Sequence, residues 1–228
     1  IIQDMTSRFV GKNKILPNIF GHNTDKFLEN IEHIHFVACG TSYHASLVAK
    51  DWIEQFTKVT CTAEVASEYK YKKINVLPKT LFVSISQSGE TADTISSLKK
   101  ALKLKYTNTL AICNVAESTL TRLSGMNFLM NAGPEISVAS TKAFTTQLFT
   151  LLLLTVIVSR KYGKTEKKMV RDISEIDRKI DELYKMEAEI KKISSKFKNK
   201  EHTLFLGKGA SYPVALEAAL KLKEISYI

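Results

Sequence analysis

Cysteine is scarce in this sequence. Cys39, Cys61 and Cys113 are the three present, and an odd, widely spaced set excludes a disulfide framework. The five histidines (His22, His33, His35, His44 and His202) are scattered. None joins a cluster with metal-ligand spacing, so each reads as structural, and neither a metal nor a cofactor is expected. Proline and glycine are also few, at 4 and 9, which excludes collagen-like and low-complexity chains. With 44% hydrophobic and 25% charged residues, the composition is that of a chain able to bury a core.

The opening residues, IIQDMTSRFV, lack the apolar stretch of ~7–15 residues that marks a signal peptide. One run, 143–159, carries no charge over 17 residues between Lys142 and Arg160. It is short of the ~20 residues of a spanning helix and contains Gln147 and several hydroxyl residues, so a buried or subunit-interface helix is expected. There is no Walker loop, Gly207-x-Gly209 lacks a third glycine, and Ser86 stands where a nucleophile elbow needs its first glycine. The cytoplasm is the compartment that free thiols suit. The chain begins with Ile1 rather than Met and ends in a helical pattern with no stop signal, as expected of a piece of a longer protein.

What is present begins with charge. Lys and Arg number 33 against 23 Asp and Glu, a net +10, which favours an anionic partner without naming one. Residues 161–200 hold 13 Lys/Arg and 8 Asp/Glu. Met169, Ile173, Ile176, Ile180, Leu183, Met186, Ile190, Ile193 and Phe197 recur there every three or four positions, predicting one long amphipathic helix with solvated charged faces. A nucleic-acid surface would interleave aromatics and carry few acids.

Elsewhere, apolar runs alternate with helical patterns. Strands are predicted at His35–Cys39, Val59–Thr62, Leu81–Ile85, Thr109–Cys113 and Asn127–Met130, and again at His202–Leu206, with helices between. This predicts an α/β fold, a parallel five-stranded sheet covered by helices on both faces. Gly-Ala-Ser-Tyr at 209–212 echoes Gly-Thr-Ser-Tyr at 40–43, 169 residues earlier, each after an apolar strand and before a helix. A duplicated domain follows: a lead-in at 1–24, a first domain at 25–164, a connecting helix at 165–200, and the start of a second domain at 201–228.

Two strand-to-helix turns carry the chemical signal, Cys39-Gly40-Thr41-Ser42 and Ser86-Gln87-Ser88-Gly89-Glu90-Thr91. Hydroxyls and free N–H groups at a helix N-terminus hold an anion without Lys or Arg. Ser42 and Ser88 serve equally as ordinary helix caps, and spacing alone leaves both readings open. The loop from Gly133 to Lys142 borders the same sheet edge and ends in Ser140-Thr141, candidate caps for the apolar helix. Lys221 and Glu224, three apart, share a helix face. They form either a surface ion pair or an ammonium beside a carboxylate base.

ACGTSYHA (38–45), SQSGETADT (86–94), LAICNV (110–115), EISVASTKAFTTQL (135–148) and ALEAALKLKEISYI (215–228) closely resemble the isomerase part of the glutamine–fructose-6-phosphate aminotransferase family. That resemblance implies two sugar isomerase (SIS) domains and a reaction making glucosamine 6-phosphate and glutamate from fructose 6-phosphate and glutamine. It implies that Thr41, Ser86, Gln87, Ser88 and Thr91 hold the sugar phosphate, with Cys39, Gly40 and Ser42 in the same cradle and Val138 and Ser140 along the sugar. Glu224 would move a proton between C1 and C2, with Lys221 beside the open-chain sugar. It also implies a homodimer and a glutaminase domain upstream. That domain, the ring-opening histidine and the Schiff-base lysine of the family are not in these residues. The chain alone is therefore expected to bind fructose 6-phosphate weakly and not to turn it over. The competing expectations are a non-catalytic regulatory sugar-phosphate module, against which the pairing of Lys221 with Glu224 argues, and a nucleic-acid binder resting on net charge alone.

Overall fold

The five apolar runs of the first half line up in one sheet. In a computed structural model that describes residues 1–163 and 165–226, they form β1 (His33–Ala38), β2 (Thr60–Val65), β3 (Thr80–Ser86), β4 (Asn108–Cys113) and β5 (Met126–Leu129). The spatial order is β2-β1-β3-β4-β5 and every pair is parallel. Side chains alternate between the faces. Phe36, Ala38, Val83, Ile85, Leu110, Ile112 and Phe128 point into the larger apolar cluster, whereas Val37, Phe82 and Ala111 join Tyr69, Leu98 and Leu120 in a smaller one.

The helices before and between the strands are α1 (Ile2–Phe9), α2 (Thr24–Leu28), α3 (Gly40–Phe56), α4 (Ala66–Tyr69), α5 (Ala92–Ala101) and α6 (Thr119–Leu123). The uncharged run becomes α7 (Lys142–Ser159). With the short turn that follows, it is long and apolar enough to span a membrane by length alone. Its Leu151, Leu153, Leu154, Val156, Ile157 and Val158 are nevertheless almost completely buried in the larger cluster, against α3 and the sheet. Arg160 fastens the lead-in to the end of this helix: its guanidinium bonds Asp25, Glu166 (3.0 Å) and the Ile15 carbonyl (2.6 Å).

The single helix predicted over 165–200 is not formed. It is divided into α8 (Thr165–Ser174), α9 (Ile176–Tyr184) and α10 (Glu187–Ser194). Met169, Val170 and Ile173 enter the main core, but Leu183, Ile190 and Phe197 are 60%, 54% and 53% exposed. Most helical stability in proteins comes from packing an apolar face. Here the chain loosens where cover runs out: Lys185 and Met186 donate to carbonyls three residues back, those of Glu182 and Leu183. The strand expected at His202–Leu206 is also missing. Residues 202–207 pair with no strand among the described residues, and a strand exists only through a neighbour that satisfies its N–H and C=O groups. The helix after the second Gly-x-Ser-Tyr turn does form, as α11 (Ser211–Ser226), and it packs on α3. Lys164, where the first domain was expected to end, and Tyr227 and Ile228 lie outside the described residues.

The face opposite α3 and α7 carries a buried polar chain. His35 Nε2 is 3.1 Å from Glu64 Oε1, Tyr106 OH is 2.8 Å from His35 Nδ1, and Tyr69 OH is 3.1 Å from Tyr106 OH. Burial is the main cause that lowers the His35 pKa, outweighing the pull of Glu64, and burial likewise raises both tyrosines. The unfolded chain therefore takes up the imidazole proton first as pH falls through about 6.5. Stability should drop from pH 7 to pH 5, read as a falling urea midpoint, and His35→Gln should flatten that slope. An unchanged slope in the variant would remove His35 as the cause.

Candidate functional site

The carboxyl ends of β1 and β3 open onto one small cavity, where open parallel sheets place their ligands. Cys39 leaves β1 extended and occupies the position before α3, and Gly40 takes a left-handed φ of +52°. That conformation lets the chain turn directly into the helix at little cost, since glycine has no Cβ. The second turn is tied by its own hydroxyls. Ser86 Oγ accepts from the N–H of Gly89 (3.0 Å) and lies 3.0 Å from Thr91 Oγ1, while Ser88 Oγ accepts from the N–H of Glu90 (3.1 Å).

These contacts separate the two readings of the turns. Cys39 and Thr91 hold the N-cap positions of α3 and α5, and neither side chain makes a capping bond. Ser42 lies inside α3, and Ser88 sits three residues before the cap of α5. Among the described residues, the first-turn N–H groups of both helices have no side-chain partner, and the helix starts carry the partial positive charge that favours an anion. The third helix differs. Glu135 Oε2 accepts from the N–H groups of Thr141 and Ala143, each at 3.3 Å, and from Ser140 Oγ at 3.4 Å. Thr141 holds the N-cap position of α7 but its side chain makes no capping bond, and the Glu135 carboxylate covers the helix start instead.

The cavity measures about 200 Å³ and is lined by Cys39, Thr41, Ser42, Ile85, Ser86, Gln87, Ser88, Thr91, Thr94, Ser140 and Gln147. No Lys or Arg stands in this wall. Gly40 is in the first turn, behind the lining, whereas Val138 is 90% exposed on the loop and does not reach the cavity. Lys221 and Glu224 reach the rim through Thr41. Lys221 Nζ donates to Thr41 Oγ1 at 3.0 Å and to Glu224 Oε2 at 2.6 Å.

Three residues of this constellation were not foreseen. Glu217 is 5% exposed. It accepts from Thr41 Oγ1 at 2.9 Å, lies 2.7 Å from His44 Nδ1, and pairs with Lys221 at 3.4 Å. Glu217, Lys221 and Glu224 share one face at steps of four and three, a spacing that could have drawn attention to Glu217. His44, expected to be structural, is its half-buried partner. Gln147 donates through Nε2 to Ser42 Oγ at 2.9 Å. Its signal was a lone amide in an apolar helix.

A parallel five-stranded sheet with helices on both faces and a hydroxyl-lined cavity at its carboxyl edge defines an open α/β domain of the ligand-binding type. The sequence model of the SIS domain matches residues 27–157, more than half of the chain, and the chain belongs to that family. Among curated proteins, glutamine–fructose-6-phosphate aminotransferase of Pseudomonas putida is 48% identical over 100% of this chain and 38% of its own length. The Idiomarina loihiensis aminotransferase is 50% identical over 94% of this chain and 36% of its own. The chain thus spans well under half of these relatives. Among solved structures, the C-terminal domain of the Francisella tularensis glucosamine-fructose-6-phosphate aminotransferase is 44% identical, with a TM-score of 0.93, covering 100% of this chain and 65% of that one. Glucosamine-6-phosphate deaminase of Thermotoga maritima shares the fold at 24% identity and a TM-score of 0.67.

Proposed function

We propose that this chain supplies the fructose 6-phosphate site of a glucosamine-6-phosphate synthase. Its first domain would hold the substrate, and residues from 201 onward would begin a second domain of the same kind. The observation that carries this reading is the pair of uncapped helix N-termini opening onto one hydroxyl-lined cavity. Similarity over the whole of this chain to part of the aminotransferases supports this choice of sugar within the class.

In this reading the phosphate rests against the first turns of α3 and α5 and the hydroxyls of Ser42, Ser86, Ser88 and Thr91, with the Gln87 N–H. The open-chain sugar extends along Ser140 toward α11. Glu224 removes a proton from C1 of the ketose and returns it at C2, which converts the 2-keto into the 1-aldo skeleton through an enediol or enediolamine. Lys221 places its ammonium where negative charge develops on the intermediate oxygen. The amino group comes from glutamine through a glutaminase domain elsewhere in the full protein, which works as a cytoplasmic homodimer.

Titration of the 228-residue chain with fructose 6-phosphate should shift the amide resonances of 40–42 and 86–92, while fructose at equal concentration should leave them in place. Ser86→Ala with Ser88→Ala should weaken binding roughly tenfold or more, as expected for hydrogen bonds to a charged group. Equal responses to the sugar and its phosphate ester would reject the reading.

A further inference from the structure

We infer that Gln147 is a positioning residue that makes Ser42 a donor to the bound anion, while Glu217 removes the adjacent Thr41 hydroxyl from that role. This rests on the reading that the cavity holds a phosphate ester.

A hydroxyl has one proton and two lone pairs, and a phosphate dianion only accepts. A hydroxyl therefore serves the phosphate only if its proton is not already committed. Ser42 and Thr41 are neighbours in sequence, and their partners treat them in opposite ways. Ser42 Oγ accepts from Gln147 Nε2, so its own proton remains available on the cavity wall. Thr41 Oγ1 donates its proton to Glu217 and accepts from Lys221. Thr41 thus belongs to the carboxylate–ammonium network, and toward the anion it can offer only its N–H.

The same accounting covers the second turn. Ser88 Oγ accepts from Glu90 and keeps its proton. Ser86 and Thr91 bond each other, which leaves one free proton between them. Ser42, Ser88 and that pair present three hydroxyl protons, matching the three terminal oxygens of a phosphate monoester. Two further lining residues carry polar atoms with uncommitted hydrogen-bonding capacity. Thr94 Oγ1 and Gln147 Oε1 are buried and have no partner among the described residues, an arrangement native interiors rarely leave standing.

Gln147 is 1% exposed in a helix whose remaining buried residues are aliphatic, aromatic or hydroxyl-bearing. Its conversion to glutamate is nearly isosteric yet reverses the polarity of the contact. A carboxylate would take the Ser42 proton and set a negative charge behind the phosphate.

The test measures fructose 6-phosphate affinity by calorimetry between pH 5 and pH 8, with wild-type chain, Gln147→Glu and Gln147→Leu, each checked for an intact circular dichroism spectrum. Gln147→Glu should bind roughly tenfold to a hundredfold more weakly at pH 8. It should recover toward wild type as the new carboxyl is protonated at low pH, relative to the wild-type profile over the same range. Gln147→Leu should weaken binding by a smaller factor that does not vary with pH relative to wild type. Equal affinity of wild type and Gln147→Glu at pH 8, or a loss with no pH recovery, overturns the inference alone. A wild-type chain that binds neither fructose 6-phosphate nor inorganic phosphate overturns both this inference and the functional reading beneath it.

Discussion

Gly89→Ala should destabilise the chain by about 2–5 kcal/mol, combining the cost of a left-handed non-glycine residue with that of overpacking. Gly89 holds a φ of +70° between β3 and α5. A Cβ built there overlaps the Ser118 side chain and comes within 2.6 Å of Cys113 Sγ. None of these neighbours can yield freely. Ser118 is the N-cap of α6, accepting from the Thr121 N–H, and Cys113 ends β4 in the buried sheet. The Gly89 carbonyl also accepts from the Leu120 N–H at 3.2 Å. The substitution would therefore strain two helix starts at once and deform the turn that carries Ser86, Ser88 and Thr91. Urea denaturation should show the loss, and adding Ser118→Gly should restore part of it by removing the side chain in the way. A midpoint within experimental scatter of wild type would contradict the close packing described for this turn.

Glu217→Ala should release α11. Glu217 is the buried group that ties this helix to α3, through Thr41 and His44. Removing it leaves Lys221 and the imidazole without their buried partner. Breaking a buried pair on one side costs about 3–5 kcal/mol, and Lys221 stays partly solvated at 17% exposure, which places the expected loss at the lower end, about 3 kcal/mol. The loss should be local, because α11 meets the rest of the chain mainly along α3. Hydrogen exchange should therefore accelerate over 211–226 and stay slow in β3 and β4. Glu217→Gln, which keeps the shape and one acceptor, should fall between. Unchanged protection in α11 would show that apolar packing, not Glu217, docks the helix.

The strands and the two cavity turns were legible because their signals are local. Five apolar runs became strands because the helices between them bring parallel neighbours alongside, whereas the run at 202–206 has no partner among the described residues and stays unpaired. The contacts that organise the site are of another kind. His44 meets Glu217 across 173 residues, and Gln147 meets Ser42 across 105. Periodicity states which face a residue occupies but not which side chain waits opposite. Glu135 was missed as the cover of α7 because Ser140 and Thr141 stood nearer the helix start, while the carboxylate folds back along its loop. The expectation for Val138 came from family resemblance alone, and its loop leaves it in solvent. The long helix over 165–200 was overdrawn because an apolar stripe has the same spacing whether or not anything covers it.

That uncovered stripe gives the net charge a different meaning. Leu183, Met186, Ile190, Ile193 and Phe197 lie at the surface among the lysines and arginines of the same segment, and the hydroxyl-lined cavity has no cation among its described lining residues. The positive excess then counts in solution rather than at the site, as charge that opposes association. Like charge on neighbouring chains opposes unspecific attraction between such stripes, over a Debye length of about 8 Å at physiological salt. Solubility of this chain should fall as ionic strength rises, since a salting-out anion such as sulfate both screens the repulsion and strengthens apolar attraction.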